Sequence, residues 1–322
     1  MPGLLLLALA SCVSENRFRY EEGLAWNTLY HITYESRTDL SDSIAIIFNE
    51  IDFSLSPFNE TSTVSRINRN ETDTIDKWFR MVYEESRKIN MASDAAFDPT
   101  LAPLIRAWGF GQGHEVSADT LRLDSLLQFV GINKTKIDGS RLIKEDPRIE
   151  FNFSALAKGF GVDQIADMML RNGVDNFLVE VGGEIRAHGT NPAGEIWKIG
   201  IDLPSEEAQQ GDMACAVSIT DCGLATSGNY RNYHVSEGNR FGHTISPIDG
   251  RPVKSDVISA TVLASECMEA DALATSCMVL GSEKALDLCT GLRAGVLLIL
   301  EDMTVVSNPI WRAVELGTEV QD

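Results

Sequence analysis

The sequence predicts an α+β fold of mixed, largely antiparallel sheets flanked by helices. Three observations carry that expectation. Apolar residues recur at helical spacing over 41–55 and 76–91. The runs 177–181 and 184–187 meet across Gly182-Gly183 and read as a hairpin. Helical and strand segments are intermixed, with no internal repeat, low-complexity stretch or clean linker between them. With 322 residues, 44% of them hydrophobic, the chain can bury a sizeable core. Residues 20–316 are expected to form one domain.

The elements follow in order. Leu-Tyr-His-Ile-Thr-Tyr at 29–34 reads as a strand. Ile44, Ile47, Phe48, Ile51 and Leu55 form a helical stripe, with Ser41 as its expected N-cap. The segment 56–62 is turn-rich. A second amphipathic helix over 76–91 turns Phe79, Val82, Tyr83 and Ile89 inward. Phe97-Asp98-Pro99 opens a short helix that ends near Trp108-Gly109. A helix over 120–130 takes Gly131 as its C-cap, and a long helix over 155–173 ends at Gly173. Beyond the Gly-Gly hairpin lie strands at 197–202 and 214–220, then a loop-rich stretch at 226–252. A strand at 258–264 leads to a helix over 270–280 capped by Gly281. Strands at 296–300 and 304–306, with Asp302 at the turn, close the sheet.

A formal net charge of −20 excludes two classes of function. Nucleic-acid binding and docking on anionic membranes both need clustered Lys and Arg. An anionic ligand is still allowed, because a local Lys, a helix start or a metal can neutralise phosphate. The N-terminus reads as a leader. An apolar run at 4–9 precedes Leu9-Ala10-Ser11-Cys12, which resembles a bacterial lipobox, although Met1-Pro2-Gly3 lacks the basic residues of an n-region. Residues 1–12 are thus expected to form a lipoprotein signal with acylated Cys12 as the anchor, placing the protein on the extracytoplasmic (periplasmic) face of a bacterial membrane. Cys215, Cys222, Cys267, Cys277 and Cys289 form no CxxC, which argues against a zinc site or a disulfide framework.

Several stretches carry chemistry. In Ala-Asp-Ala-Leu-Ala-Thr at 270–275, Asp271 and Thr275 are four residues apart on an expected helix, so a carboxylate and a hydroxyl share one face. Two hard oxygens there suit Mg²⁺. Equally, Asp271 could complement its helix dipole and Thr275 could bond back to a carbonyl. Asn152-Phe153-Ser154-Ala155-Leu156-Ala157-Lys158-Gly159-Phe160 reads as a strand-to-helix junction, where Lys158 and free backbone N–H groups could meet a phosphate. Solvated, Lys158 would be an ordinary residue of a helix start. Asp98 is either an Asx cap or a contact to a ligand ring edge. His243, close to a tight turn at 245–250, is of the type expected of a general base. No GxSxG, P-loop or dinucleotide fingerprint is present.

Taken in order, these pieces resemble one family. SPFNETSTVSRIN (56–68), FDPTLAPLIRAWGFG (97–111), NFSALAKGFGVDQIA (152–166), VEVGGEIRAHG (179–189), TSGNY (226–230), HTISPIDGRPV (243–253) and ADALAT (270–275) are similar to motifs of the FAD:protein FMN transferases, or ApbE family. The resemblance implies an ApbE-like fold and a Mg²⁺-dependent enzyme. That enzyme would cleave the FAD pyrophosphate, attach FMN to a Thr or Ser of an acceptor protein and release AMP. It implies metal ligation by Asp271, Thr275 and the carbonyl of Ala155. It implies FAD contacts from Trp26, Phe58, Ala96, Phe97, Asp98, Asn152, Lys158 and Ile245, and a base at His243. The implied acceptors are flavoprotein subunits of membrane redox complexes. Trp26, Phe58 and Asn152 stand where the family more often has Met, Tyr and Asp. An FAD pyrophosphatase or a non-catalytic flavin-binding lipoprotein would use the same pocket.

Overall fold

The computed structural model describes residues 17–110, 120–204, 213–228, 233–236, 239–242 and 244–316. Strands β1 (Phe18–Ala25) and β2 (Thr28–Glu35) come first, followed by helices α1 (Ser41–Leu55), α2 (Thr63–Asn68), α3 (Lys77–Ala92), α4 (Ala102–Ala107) and α5 (Thr120–Leu127). A small hairpin, β3 (Thr135–Asp138) and β4 (Arg141–Lys144), precedes α6 (Ala157–Arg171). Then come β5 (Phe177–Val181), β6 (Glu184–His188), β7 (Trp197–Asp202), β8 (Met213–Ile219), β9 (Cys222–Gly228), β10 (Tyr233–Ser236) and β11 (Asn239–Gly242). The chain continues through β12 (Val257–Ala264), α7 (Cys267–Leu280), α8 (Ser282–Gly291), β13 (Gly295–Leu300), β14 (Val305–Ser307) and α9 (Pro309–Leu316).

An eight-stranded sheet, ordered β1-β2-β5-β6-β9-β12-β13-β14, organises these elements. Each of its pairings is antiparallel, as expected from the hairpin pattern. One face carries Phe177, Val179 and Val181, which share a core with Ile44 and Ile51 of α1, Phe160 and Ile165 of α6, and Leu273 of α7. The other face carries Ile185, Ala187 and Leu224, packed against Trp197 and Val217 of the β7–β8 ribbon and Trp311 of α9. Burying each such side chain contributes roughly 1.5–3 kcal/mol. A third cluster, around Leu104, Leu123 and Ile245, lies beneath α4 and α5.

The turns follow from local chemistry. Gly182 and Gly183 have φ of 64° and 99°, the left-handed pair that a two-residue hairpin turn requires. This turn pairs Val181 with Glu184, so Glu184 shares the helix-facing side of the sheet. Helix α7 is buried nearly all round, Asp271 included.

Some expectations need correcting. Leu40, not Ser41, is the N-cap of α1; Asp39 Oδ1 accepts the Ser41 N–H at 3.0 Å and so moves the start back by one residue. Helix α6 begins at Ala157, after a turn over residues 154–156, and α5 ends at Leu127 rather than 130. The stretch 226–252 contains the end of β9 together with β10 and β11. β1, α2, β3, β4, α8 and α9 had no reading in the sequence. β1 is an edge strand whose side chains are all at least partly solvated, so no apolar face marks it.

Candidate functional site

The first turn of α6, the start of β6 and the second turn of α7 converge beneath one cleft. Lys158 of α6 is ion-paired through Nζ with Glu184 Oε1 of β6. Glu184 is 3% exposed, and its Oε2 has no hydrogen-bond partner among the described residues. Asp271 of α7 is 4% exposed and accepts the Gly159 N–H through Oδ2 at 3.1 Å. One turn on, Thr275 Oγ1 lies 3.2 Å from Ser227 Oγ of β9. The expected helical spacing of Asp271 and Thr275 is therefore real, and both line the cleft.

Glycines make this convergence possible. A Cβ on Gly159 would lie 2.5 Å from the Cys267 carbonyl oxygen, and one on Gly223 would lie 2.3 Å from the Cys267 nitrogen. The N-terminus of α7 is thus wedged between α6 and β9 at distances that only glycine permits. Asp163 then locks it. Its carboxylate accepts the Cys267 N–H at 2.9 Å and the Met268 N–H at 2.8 Å, and it pairs with Arg186 at 2.6 Å. The cap of α7 therefore comes from α6 rather than from the helix's own sequence, since Glu266 makes no capping bond.

The electrostatics are set by burial. Burial pushes the Asp271 pKa up, while Lys158 and the Gly159 N–H pull it back. Burial also pushes Glu184 up; Lys158 opposes this and Asp271 reinforces it. Burial works against the charge of Lys158, yet Glu184 and Asp271 outweigh it, and the ammonium is held above its ordinary value. Asp163 is pushed up to about 6 by burial, against the pull of Arg186 and the two N–H groups.

The cleft has a volume of about 940 Å³. Of the residues singled out in the sequence, Phe58, Ala96, Phe97, Asp98, Asn152, Ala155, Lys158, Ile245, Asp271 and Thr275 line it. Phe58 is 49% exposed, leaving one ring surface free for a ligand. Ala96, Phe97 and Ile245 are buried in its wall. Asp98 is already occupied: Oδ1 accepts from Thr100, and Oδ2 accepts the Ile132 N–H at 3.0 Å and the Asn90 amide at 3.2 Å. These bonds bear out its Asx-cap reading, and the residue also lines the cleft. Asn152 likewise turns its Oδ1 to the Ser154 N–H at 2.9 Å.

Trp26 is elsewhere. It sits in the β1–β2 turn at φ 50°, edge-on to Phe48, and donates from Nε1 to the Phe48 carbonyl at 3.2 Å. It lines a separate small pocket with Glu21, Tyr30 and Asp52. Its ring lies over Gly161, where an added Cβ would come within 2.1 Å. This packing explains how so large a side chain holds a left-handed backbone. His243 lies outside the described residues, although its neighbour Thr244 lines the cleft.

The residues present fit a hard divalent cation. Asp271 and Thr275 offer oxygens on one rigid helix face, and Glu184 Oε2 is buried with no hydrogen-bond partner among the described residues. Among the described residues no three His, Cys, Asp or Glu side chains cluster as a metal cage. A cation here would complete its shell with backbone carbonyl, water or phosphate oxygens, as Mg²⁺ commonly does. Glu184 and the Asp163–Arg186 lock were not singled out in the sequence. The signal for Glu184 was its register: it faces Val181 across the hairpin, an acidic residue opposite the apolar Phe177, Val179 and Val181 of β5.

Comparison with known proteins agrees with this geometry. The ApbE family model matches residues 26–300. The chain is 34% identical over 309 residues to the FAD:protein FMN transferase of Vibrio cholerae, covering 92% of this chain and 91% of that one. The Haemophilus influenzae enzyme of the same name is 33% identical, covering 92% and 90%. Among solved structures, the flavin transferase ApbE from Vibrio cholerae superposes with a TM-score of 0.83 at 31% identity, over 93% of this chain and 99% of that one. The Pseudomonas stutzeri flavinyl transferase ApbE gives 0.84 at 28%, over 95% and 99%.

Proposed function

This chain belongs to the ApbE family, and from that premise we propose that it is a Mg²⁺-dependent FAD:protein FMN transferase. It cleaves the FAD pyrophosphate, joins FMN through a phosphoester to a Thr or Ser of an acceptor protein, and releases AMP. One observation carries this reading. The motifs spread over 56–68, 97–111, 152–166, 179–189 and 270–275 all contribute to the wall of a single cleft large enough for a dinucleotide.

Phosphoryl transfer needs positioning and charge neutralisation more than covalent help. Asp271, Thr275 and the Ala155 carbonyl would hold the cation, which when bound polarises a phosphoryl oxygen and offsets charge on the departing AMP. Lys158 holds the diphosphate from the α6 side. Phe58 offers a ring face to the flavin or adenine, in a cleft that Phe97 and Ile245 also line. The proton of the acceptor hydroxyl passes to His243, a role that rests on family resemblance alone. Cys12 carries a lipid, and the domain at 20–316 faces the extracytoplasmic side, where it meets flavoprotein subunits of membrane redox complexes.

The test is to incubate the protein with FAD, Mg²⁺ and a candidate acceptor domain, following AMP and protein-bound flavin fluorescence. AMP released in step with fluorescent acceptor supports the transferase. FMN and AMP released with no labelled acceptor would make it an FAD pyrophosphatase. FAD bound but unchanged would leave only a flavin-binding lipoprotein.

A further inference from the structure

We infer that Glu184 is a positioning residue that makes FAD binding depend on a divalent cation, by keeping Lys158 paired until the cation arrives. This deepens the transferase reading and rests on it.

The inference comes from the charges that line the cleft. Lys158 is in contact with Glu184. The other two cationic side chains in the described wall also have carboxylate partners: Arg106 with Glu150 at 2.8 Å and Arg69 with Glu71 at 2.7 Å. Asp271 is a further buried carboxylate, which accepts the Gly159 backbone N–H. Beneath the cleft, two acidic side chains therefore face one ammonium, and whenever both are ionised they leave one negative charge in a site that water screens poorly. A diphosphate approaching alone meets that charge and finds Lys158 engaged. With a divalent cation beside Asp271 the local charge becomes positive, and the diphosphate is attracted. Glu184 acts through Lys158. Its second oxygen, buried and without a partner among the described residues, marks a carboxylate that is not there merely to complete a hydrogen-bond network.

Glu184→Gln is close to isosteric, keeps an acceptor for Lys158 and removes the charge. FAD binding to the purified full chain is measured by flavin fluorescence in Mg²⁺ and in EDTA, with circular dichroism to check the fold. Wild type should bind in Mg²⁺ and weaken by about tenfold or more in EDTA, as an uncompensated charge in a poorly screened site implies. Glu184→Gln should bind FAD in EDTA about tenfold more tightly than wild type, and adding Lys158→Met should abolish that gain. A second arm needs no flavin. Lys158→Met alone leaves both carboxylates uncompensated and should raise Mn²⁺ affinity, read by electron paramagnetic resonance, by about tenfold.

Glu184→Gln binding no better than wild type in EDTA overturns the inference while leaving the transferase intact. So does a gain that survives Lys158→Met, or unchanged Mn²⁺ affinity in Lys158→Met if Glu184→Gln fails to fold. Wild type that binds no FAD even in Mg²⁺ overturns the transferase reading itself.

Discussion

Gly159→Ala tests whether the α6–α7 contact sets the geometry of the site. Alanine is the better helix former by about 1 kcal/mol, so in an open helix this change would stabilise the protein. Here the new Cβ would lie 2.5 Å from the Cys267 oxygen, 2.7 Å from its carbonyl carbon and 2.9 Å from the Met268 nitrogen. All three are backbone atoms, so no flexible side chain can swing aside. Ordinary contact begins at 3.4 Å, and 3.4 less 2.5 requires the helices to part by about 0.9 Å. That movement stretches the 3.1 Å bond from the Gly159 N–H to Asp271 to about 4.0 Å, beyond hydrogen-bonding range. Overpacking costs about 1–3 kcal/mol, and the bond lost to a buried carboxylate costs about as much again. Because Lys158 and Asp271 separate by the same movement, flavin transfer should fall by about 10²-fold. Differential scanning fluorimetry and in-gel flavin fluorescence of the acceptor read the two effects. A Gly159→Ala protein with unchanged Tm and a transfer rate within about twofold of wild type would refute the reasoning.

Three other outcomes are expected. Phe58→Ala should weaken FAD binding by about threefold to tenfold, the range of one aromatic contact, with little change in Tm because the ring is half in water; equal affinity by fluorescence titration would remove Phe58 from the site. Asp163 has a folded pKa of about 6 against 3.8 for the free group, so its contribution to stability is full below about pH 4 and is lost as pH rises through 6. Asp163→Asn should therefore flatten the Tm profile between those values, and parallel profiles for the two proteins would count against this. Cys267, Cys277 and Cys289 are fully buried, with the last two 3.6 Å apart at sulfur. Maleimide should leave all three unlabelled in the native protein and label them on unfolding; rapid native labelling would contradict that packing.

How much was legible in the sequence depended on whether a residue's role was local. Asp271 and Thr275 were found because helical spacing alone puts them on one face. The Gly182-Gly183 turn was found because its backbone demands those residues. Asp98 was ambiguous because an Asx cap and a ligand contact use the same carboxylate; its bonds to Thr100, Asn90 and Ile132 show the cap. Trp26 was expected at the FAD site by resemblance and instead anchors the β1–β2 turn on Phe48 and Gly161. The trans cap on α7 was invisible, since Asp163 lies 104 residues from the Cys267 N–H it accepts. The glycines at 159 and 223 read as ordinary until α7 was placed between them. Long-range contacts of this kind have no periodicity to reveal them.

The central claim is that the cleft between α6 and α7 holds FAD by its diphosphate, with a divalent cation on Asp271 and Thr275. Crystals grown with FAD and Mn²⁺ in place of Mg²⁺ test it through the anomalous scattering of manganese. The expected result is an anomalous peak bounded by Asp271, Thr275 and the Ala155 carbonyl, with the flavin dinucleotide density beside Lys158. Flavin density elsewhere on the protein, or a manganese peak away from Asp271, would contradict it.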